Sequence, residues 1–207
     1  EDNLKDVTVL VYSSAIDETN PEIIKAKKEN LPIMRRAEML AELMRLKYGL
    51  AIAGTHGKTT TTSFLATILE ESNFEPTYII GGIVDNLGGH AKVGKGKFLV
   101  AEADESDGSF LLLNPVMSAI TNVDLDHMDF YQTEENLMNA FTEFVNKVPF
   151  YGLTALNAHD ERLMKIKSSI KKPWVTYGIT EDGNLGANFE ARNVKYSELE
   201  SNFELFH

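Results

Sequence analysis

Cysteine is absent from this 207-residue chain. Disulfides, thiolate metal centres and cysteine nucleophiles are thereby excluded, and a reducing, cytoplasmic setting fits. Long apolar runs are missing as well. Nothing approaches the ~18 consecutive apolar residues of a membrane span, and residues 1–12 lack the charged-then-apolar order of a signal peptide. Positive charge is scarce, with 20 basic against 31 acidic residues and a net charge of −11. Such a chain repels nucleic acid unless it carries a strong basic patch. Lysines gather around Lys27 and around Lys167, but without the interleaved aromatics of a strand-binding platform, so they read as solvated helix faces. There is no G-x-S-x-G elbow and no H-E-x-x-H zinc motif, which argues against those hydrolases.

What is present centres on Ala51-Ile-Ala-Gly54-Thr55-His56-Gly57-Lys58-Thr59-Thr60. An apolar run feeds a glycine turn, then Lys-Thr, then a stretch with apolar residues at helical spacing. A strand, a loop and a helix in that order aim unpaired N–H groups and the positive end of the helix dipole at a polyphosphate, and the glycines let the backbone approach it. In this reading Gly54, Thr55, His56, Gly57, Lys58, Thr59 and Thr60 hold the phosphates. Lys58 reaches the outer phosphates of ATP from an exposed loop position, and the Thr59 hydroxyl ligates Mg²⁺. Ile52 stands where the general G-x-x-x-x-G-K-[ST] pattern has its first glycine, so the loop is the shorter G-T-x-G-K-T form. His56 is open to two roles, phosphate contact or turn former.

A second constellation, Glu102-Ala-Asp104-Glu105-Ser-Asp107, closes the apolar run that starts at Phe98. Carboxylates at the carboxyl end of a strand lie where open α/β sheets bind ligands, and four close together repel unless a cation offsets them. Extended alternation puts residues 102, 104 and 106 on one face and 103 and 105 on the other. Glu102, nearest the sheet, is the expected Mg²⁺ ligand beside Thr59. A third group is Thr121-Asn122-Val-Asp124-Leu-Asp126-His127-Met-Asp129. His127, between two aspartates, is the candidate ligand of a second Mg²⁺; two such ions would neutralise a triphosphate and a carboxylate brought together. His90, beside the Gly-rich connection, is open to two roles, substrate contact or a residue with no part in the site. His159 and His207 read as surface residues, and Asp160 as a helix cap.

Strands are expected at 7–12, 31–34, 49–53, 77–80, 98–103, 116–123, 154–157 and 174–177, and helices at 21–29, 36–47, 59–71, 134–147 and 160–169. Asn20-Pro21-Glu22 is a cap followed by proline at the first helical position. Leu137, Ala140, Phe141, Phe144, Val145 and Val148 recur at helical spacing, so one face of that helix is core. The alternation predicts an α/β fold, a mainly parallel sheet covered by helices on both sides. Residues 81–96 form a long connection, and the chain from 183 onward reads as turns and short strands. Residues 1–46 look like the end of a doubly wound domain whose beginning is missing, and 47–207 like a second domain, incomplete at its end.

On the loop, the Glu102–Asp107 run, the Thr121–Asp129 run and the segments Ser13-Ser14-Ala-Ile, Asn20-Pro21-Glu22 and Arg35-Arg36-Ala-Glu-Met-Leu40, the chain resembles the ATP-dependent Mur ligases of bacterial cell-wall synthesis. The resemblance implies a Rossmann-like UDP-binding domain ending near residue 46, a P-loop-like central ATPase domain over 47–207, and a third domain beyond. It implies a ligase joining L-alanine to the carboxylate of UDP-N-acetylmuramate through an acyl phosphate, with the present chain an inactive piece. Lys58, Glu102 and His127 become its catalytic residues, and Thr59, Glu102 and His127 its Mg²⁺ ligands. The residues near Thr142, Glu143 and Phe144 lack the modified lysine of later-acting relatives, in keeping with the alanine-adding type. Alternatives are a ligase that attaches a whole peptide to the same nucleotide sugar, and a phosphate-loop binding module without ligase activity.

Overall fold

The computed structural model describes residues 2–13, 15–82, 87 and 89–207. Ser14 and residues 83–86 and 88 of the Gly-rich connection lie outside the described residues. A small parallel pair comes first: β1 (Leu10–Tyr12) and β2 (Ile33–Arg35), joined by α1 (Pro21–Lys28). Asn20 starts α1 as its spacing predicts, its side-chain oxygen accepting from Glu22 N at 2.9 Å. α2 (Arg36–Arg45) follows β2 directly, and Glu38 Oε2 accepts from Arg35 N at 2.6 Å to close its first turn. β1 is half the expected length, because residues 7–9 have no strand partner.

The main sheet contains β3 (Tyr48–Ala53), β4 (Thr77–Ile79), β5 (Ala91–Lys92), β6 (Phe98–Glu102), β7 (Met117–Ile120), β8 (Leu153–Asn157), β9 (Trp174–Ile179), β10 (Phe189–Tyr196) and β11 (Ser201–Phe206). Their order across the sheet is β11-β10-β9-β8-β7-β3-β6-β4-β5. Only the edge pairs β4–β5 and β10–β11 are antiparallel. The covering helices are α3 (Lys58–Glu71), α5 (Glu134–Val145) and α6 (Glu161–Ile166); the one-turn α4 (Met128–Tyr131) precedes α5. The expected α/β class with a mainly parallel sheet is therefore the observed one. Among the described residues no helix is long and apolar enough to cross a membrane.

The central strands are apolar on both faces because both are covered. Leu50 and Val100 face one core with Ala66 of α3 and Tyr78. Ala51, Ala53, Leu99 and Ala101 face the other, with Met44 of α2, the α5 stripe and Leu163 of α6. Every residue of the predicted α5 face, from Leu137 to Val148, is buried. Phe144 is fully enclosed and stacks on Phe110 at a centroid distance of 5.0 Å.

Three features depart from expectation. α4 is too short to show periodicity; it starts from His127 in the left-handed region at φ 54°. β5 hides in the Gly-rich connection as two residues paired with β4. The expected short strands after residue 183 are a hairpin of eight and six residues. That hairpin is mostly exposed, so its pattern carries little core signal; β10 pairs with β9, and Asn193 Nδ2 donates across to Glu204 Oε2 on β11 at 2.8 Å.

This packing predicts that Phe144→Ala costs about 3–5 kcal/mol of stability, cavity term included. Ile68→Ala, on the 61% exposed side of α3, should stay within about 0.5 kcal/mol. Urea unfolding followed by circular dichroism measures both.

Candidate active site

β3 lies between β6 and β7 in the sheet, so the segments leaving these three strands meet at one edge. The loop between β3 and α3 spans residues 54–57. It is short because β3 continues through Ala53; Ile52 is a buried strand residue paired with Glu102 of β6 rather than a failed glycine. Gly54 has φ +127°, and a Cβ there would stand 2.1 Å from Thr121 Oγ1. Gly57 has φ +80° and caps α3 with nothing within 4 Å.

The loop is clamped from the β7 side. Thr121 Oγ1 donates to His56 O at 2.6 Å, and Asn122 Nδ2 to the same oxygen at 2.9 Å. His56 N donates back to Asn122 Oδ1 at 2.8 Å, and Thr55 N to Asn122 O at 3.1 Å. Thr55 Oγ1 accepts from Asp124 N at 2.8 Å. His56 thus shapes the turn through its backbone, while its exposed ring lies 3.6 Å from Asp124.

Thr59 and Glu102 meet as expected: Thr59 Oγ1 donates to Glu102 Oε2 at 3.1 Å. The other carboxylate oxygen accepts from Gly81 N at 2.7 Å, which fixes the side chain's direction. Two neighbouring oxygens of an octahedral Mg²⁺ with ~2.1 Å bonds are themselves about 3 Å apart. The Thr59–Glu102 pair therefore fits that ion as adjacent ligands. No cluster of three or more His, Asp or Glu that could hold a metal occurs among the described residues. Mg²⁺ needs none, since it takes one or two protein ligands and completes its shell with water and phosphate. Thr60 is exposed on the first turn of α3.

Lys58 departs from expectation. It is not an exposed loop residue: its side chain is 17% exposed and is paired with Glu105, itself 1% exposed. Lys58 Nζ donates to Glu105 Oε1 at 3.0 Å, to Gly54 O at 2.8 Å and to Thr55 O at 3.2 Å. His127 Nε2 stands 3.9 Å from Glu105 Oε1 and 3.8 Å from Asp126. The structure thus makes two groupings, Thr59 with Glu102 and Lys58 with Glu105 and His127. Alternation put Glu105 on the face of Ala103, away from Glu102, and Ala103 and Glu105 are both buried; what it did not supply is the pairing of Glu105 with Lys58. Nearby, Tyr131 donates to Glu105 O at 2.5 Å; burial first, then the charge of Glu105, pushes its phenol well above the usual range.

Two cavities flank the loop. One of about 520 Å³ is lined by Lys58, Glu102, Asp104, His90, Arg36 and Leu40, which puts His90 at the same mouth as the phosphate loop. The other, about 280 Å³, is lined by Asn122, Asp124, Glu134, His159 and Arg162. There Asp160 caps α6 as expected, accepting from Leu163 N at 2.8 Å, and its second oxygen accepts from Val123 N at 2.8 Å. His159 bonds Ile179 at the end of β9.

The model of the Mur ligase middle domain matches residues 52–207, and that of the Mur ligase family catalytic domain matches residues 1–48. The chain belongs to the Mur ligase family. It is 48% identical over 202 residues to UDP-N-acetylmuramate–L-alanine ligase of Syntrophotalea carbinolica, covering 98% of this chain and 43% of that one. Among solved structures it resembles UDP-N-acetylmuramate–alanine ligase of Thermotoga maritima, with a TM-score of 0.81 and 28% identity over 99% of this chain and 45% of that one. The ligase of Neisseria meningitides for UDP-N-acetylmuramate and L-alanyl-γ-D-glutamyl-meso-diaminopimelate shares the fold, with a TM-score of 0.79 and 24% identity over 99% of this chain and 67% of that one. This Mur ligase chain spans less than half the length of the curated relatives it matches.

The clamp on the Mur ligase loop sets a contrast between its two glycines. Gly54→Ala should cost at least about 2 kcal/mol, because a new Cβ meets Thr121 at a conformation alanine avoids. Gly57→Ala, strained only by its backbone, should cost about 1–2 kcal/mol. Urea titration of both variants checks the order; equal losses would show that the Thr121 contact yields freely.

Proposed function

We propose that this chain carries the nucleotide-phosphate and carboxylate-activating part of an ATP-dependent ligase that joins L-alanine to UDP-N-acetylmuramate. The observation that supports it most is the 3.1 Å bond from Thr59, the neighbour of Lys58, to Glu102, with Lys58 and Glu102 lining the larger cavity. The similarity to alanine-adding relatives over nearly the whole chain supports the substrate pair. We also infer that residues 1–46 end a Rossmann-like domain and 47–207 belong to the ATP-binding domain.

The chemistry is phosphoryl transfer followed by acyl transfer. A substrate carboxylate oxygen displaces ADP from the γ-phosphorus, giving an acyl phosphate. The alanine amine then attacks the acyl carbon, phosphate leaves, and the amine proton is released. Phosphoryl transfer needs positioning and charge neutralisation more than a covalent residue. The backbone of residues 54–57 and the N-terminus of α3 supply N–H groups for phosphate oxygens. Lys58 brings a cation to the outer phosphates. Thr59 with Glu102 would hold one Mg²⁺ and His127 a second, and such ions would supply charge neutralisation at the phosphoryl oxygens. Arg36 and His90 line the cavity through which an anionic nucleotide sugar would enter.

Calorimetric titration of Mg²⁺-ATP into the chain tests this reading. Saturable binding should be lost in Thr59→Val and in Lys58→Ala. No saturable heat up to millimolar ATP counts against it. Lys58→Ala should also lose about 3 kcal/mol of stability, because it strands the buried Glu105 carboxylate, so its titration belongs at a temperature where the variant is folded.

A further inference from the structure

Glu105 is a buried charged group at the loop to which the reaction above gives no task. Its side chain is 1% exposed, and both oxygens face the Lys58 ammonium, Oε1 accepting at 3.0 Å and Oε2 at 2.9 Å outside hydrogen-bond geometry. Among the described residues Oε2 makes no hydrogen bond beyond that ionic contact. An ammonium has three donors, and those of Lys58 are taken by Gly54 O, Thr55 O and Glu105. A phosphate can therefore reach Lys58 only by replacing one of them. The two carbonyls belong to the loop that receives the phosphates. The carboxylate is the acceptor that resembles a phosphate, with two anionic oxygens on one cation.

A buried carboxylate left beside an arriving polyphosphate would be repelled unless it found another partner. One stands ready: His127 Nε2 is 3.9 Å from Oε1. The main chain of Glu105 is pinned, its carbonyl accepting from Tyr131 Oη at 2.5 Å and from Gly108 N at 3.1 Å. Only the side chain is free to change partner. Tyr131 sits one helical turn after His127 in α4, so the contact that pins Glu105 also keeps His127 within reach.

We propose that Glu105 is a positioning residue that occupies the place of phosphate on Lys58 in the nucleotide-free chain and passes to His127 when phosphate takes that place. The proposal rests on reading the loop as a nucleotide-phosphate site. In the free chain Glu105 keeps Lys58 folded across its own loop; in the loaded chain it orients the imidazole by accepting from a ring N–H, as carboxylates do for histidines at metal sites.

Glu105→Gln keeps the shape and removes the charge. Competitive acetylation of the 207-residue chain, read by mass spectrometry at Lys58 against exposed Lys28, measures how firmly Lys58 is held. Lys58 labelling should rise about tenfold in the variant while Lys28 stays constant, the loss of one charge-assisted bond. An unchanged ratio overturns the proposal. If Glu105→Gln loses its cooperative melt, Glu105→Asp, which withdraws the charge by one methylene, carries the same expectation. In calorimetric titrations Glu105→Gln should bind Mg²⁺-ATP about tenfold more tightly than the parent, having no carboxylate to displace. Binding by both chains, no tighter in the variant, overturns the exchange alone. Binding by neither overturns the phosphate-site reading and the exchange with it.

Discussion

The position of β3 between β6 and β7 is the constraint on which the site depends. A parallel sheet sends the carboxyl ends of neighbouring strands to one edge, so three loops distant in sequence are brought together there. β3 delivers the phosphate loop, β6 delivers Glu102 to Asp107, and β7 delivers Thr121 to Asp129. The small residues Ala51, Ala53 and Ala101 let helices close on that part of the sheet. A site assembled from strand ends inherits the rigidity of the strands. Here the β7 segment adds to it by bonding the backbone of Thr55 and His56 directly.

Much of this arrangement was legible in the sequence. The loop, the helix after it and the Glu102 pairing with Thr59 follow from local pattern, because each depends on residues adjacent in the chain or on strand ends whose edge is known in advance. The α5 face was equally plain, since six apolar residues at one spacing have only one way to be buried. The elements that escaped are those without periodicity. α4 has four residues, β5 has two, and the β10–β11 hairpin is held by cross-strand pairing and by Asn193 with Glu204 rather than by a core.

The candidate site was less legible than the fold, and for a different reason. Sequence alternation is assured only while a strand lasts, and β6 lasts to Glu102. Beyond it the alternation still holds for burial, with Asp104 exposed and Glu105 buried, but it does not say which group the buried carboxylate meets. Meeting Glu105 makes Lys58 one side of an enclosed pair rather than an exposed cation. No pattern within either segment encodes that pairing, since its partners are 47 residues apart.

That pair has consequences for how the loop can work. Enclosing a lysine and a glutamate costs desolvation on both, and the attraction between them offsets it only with good geometry and further bonds. Lys58 has those bonds, two of them to its own loop; Glu105 relies on the ammonium for both oxygens, Oε2 at 2.9 Å outside hydrogen-bond geometry. The carboxylate is thus the less satisfied half, and a ligand offering Lys58 better acceptors displaces it at a smaller cost than a fully bonded group would demand. The imidazole of His127, held near by the Tyr131 contact, lowers that cost further by giving the charge somewhere to go. An enclosed charge that leans on one cation, with a second partner in reach, is better suited to exchange than to permanent support, which is why a loop so tightly clamped is compatible with a site that must admit phosphate.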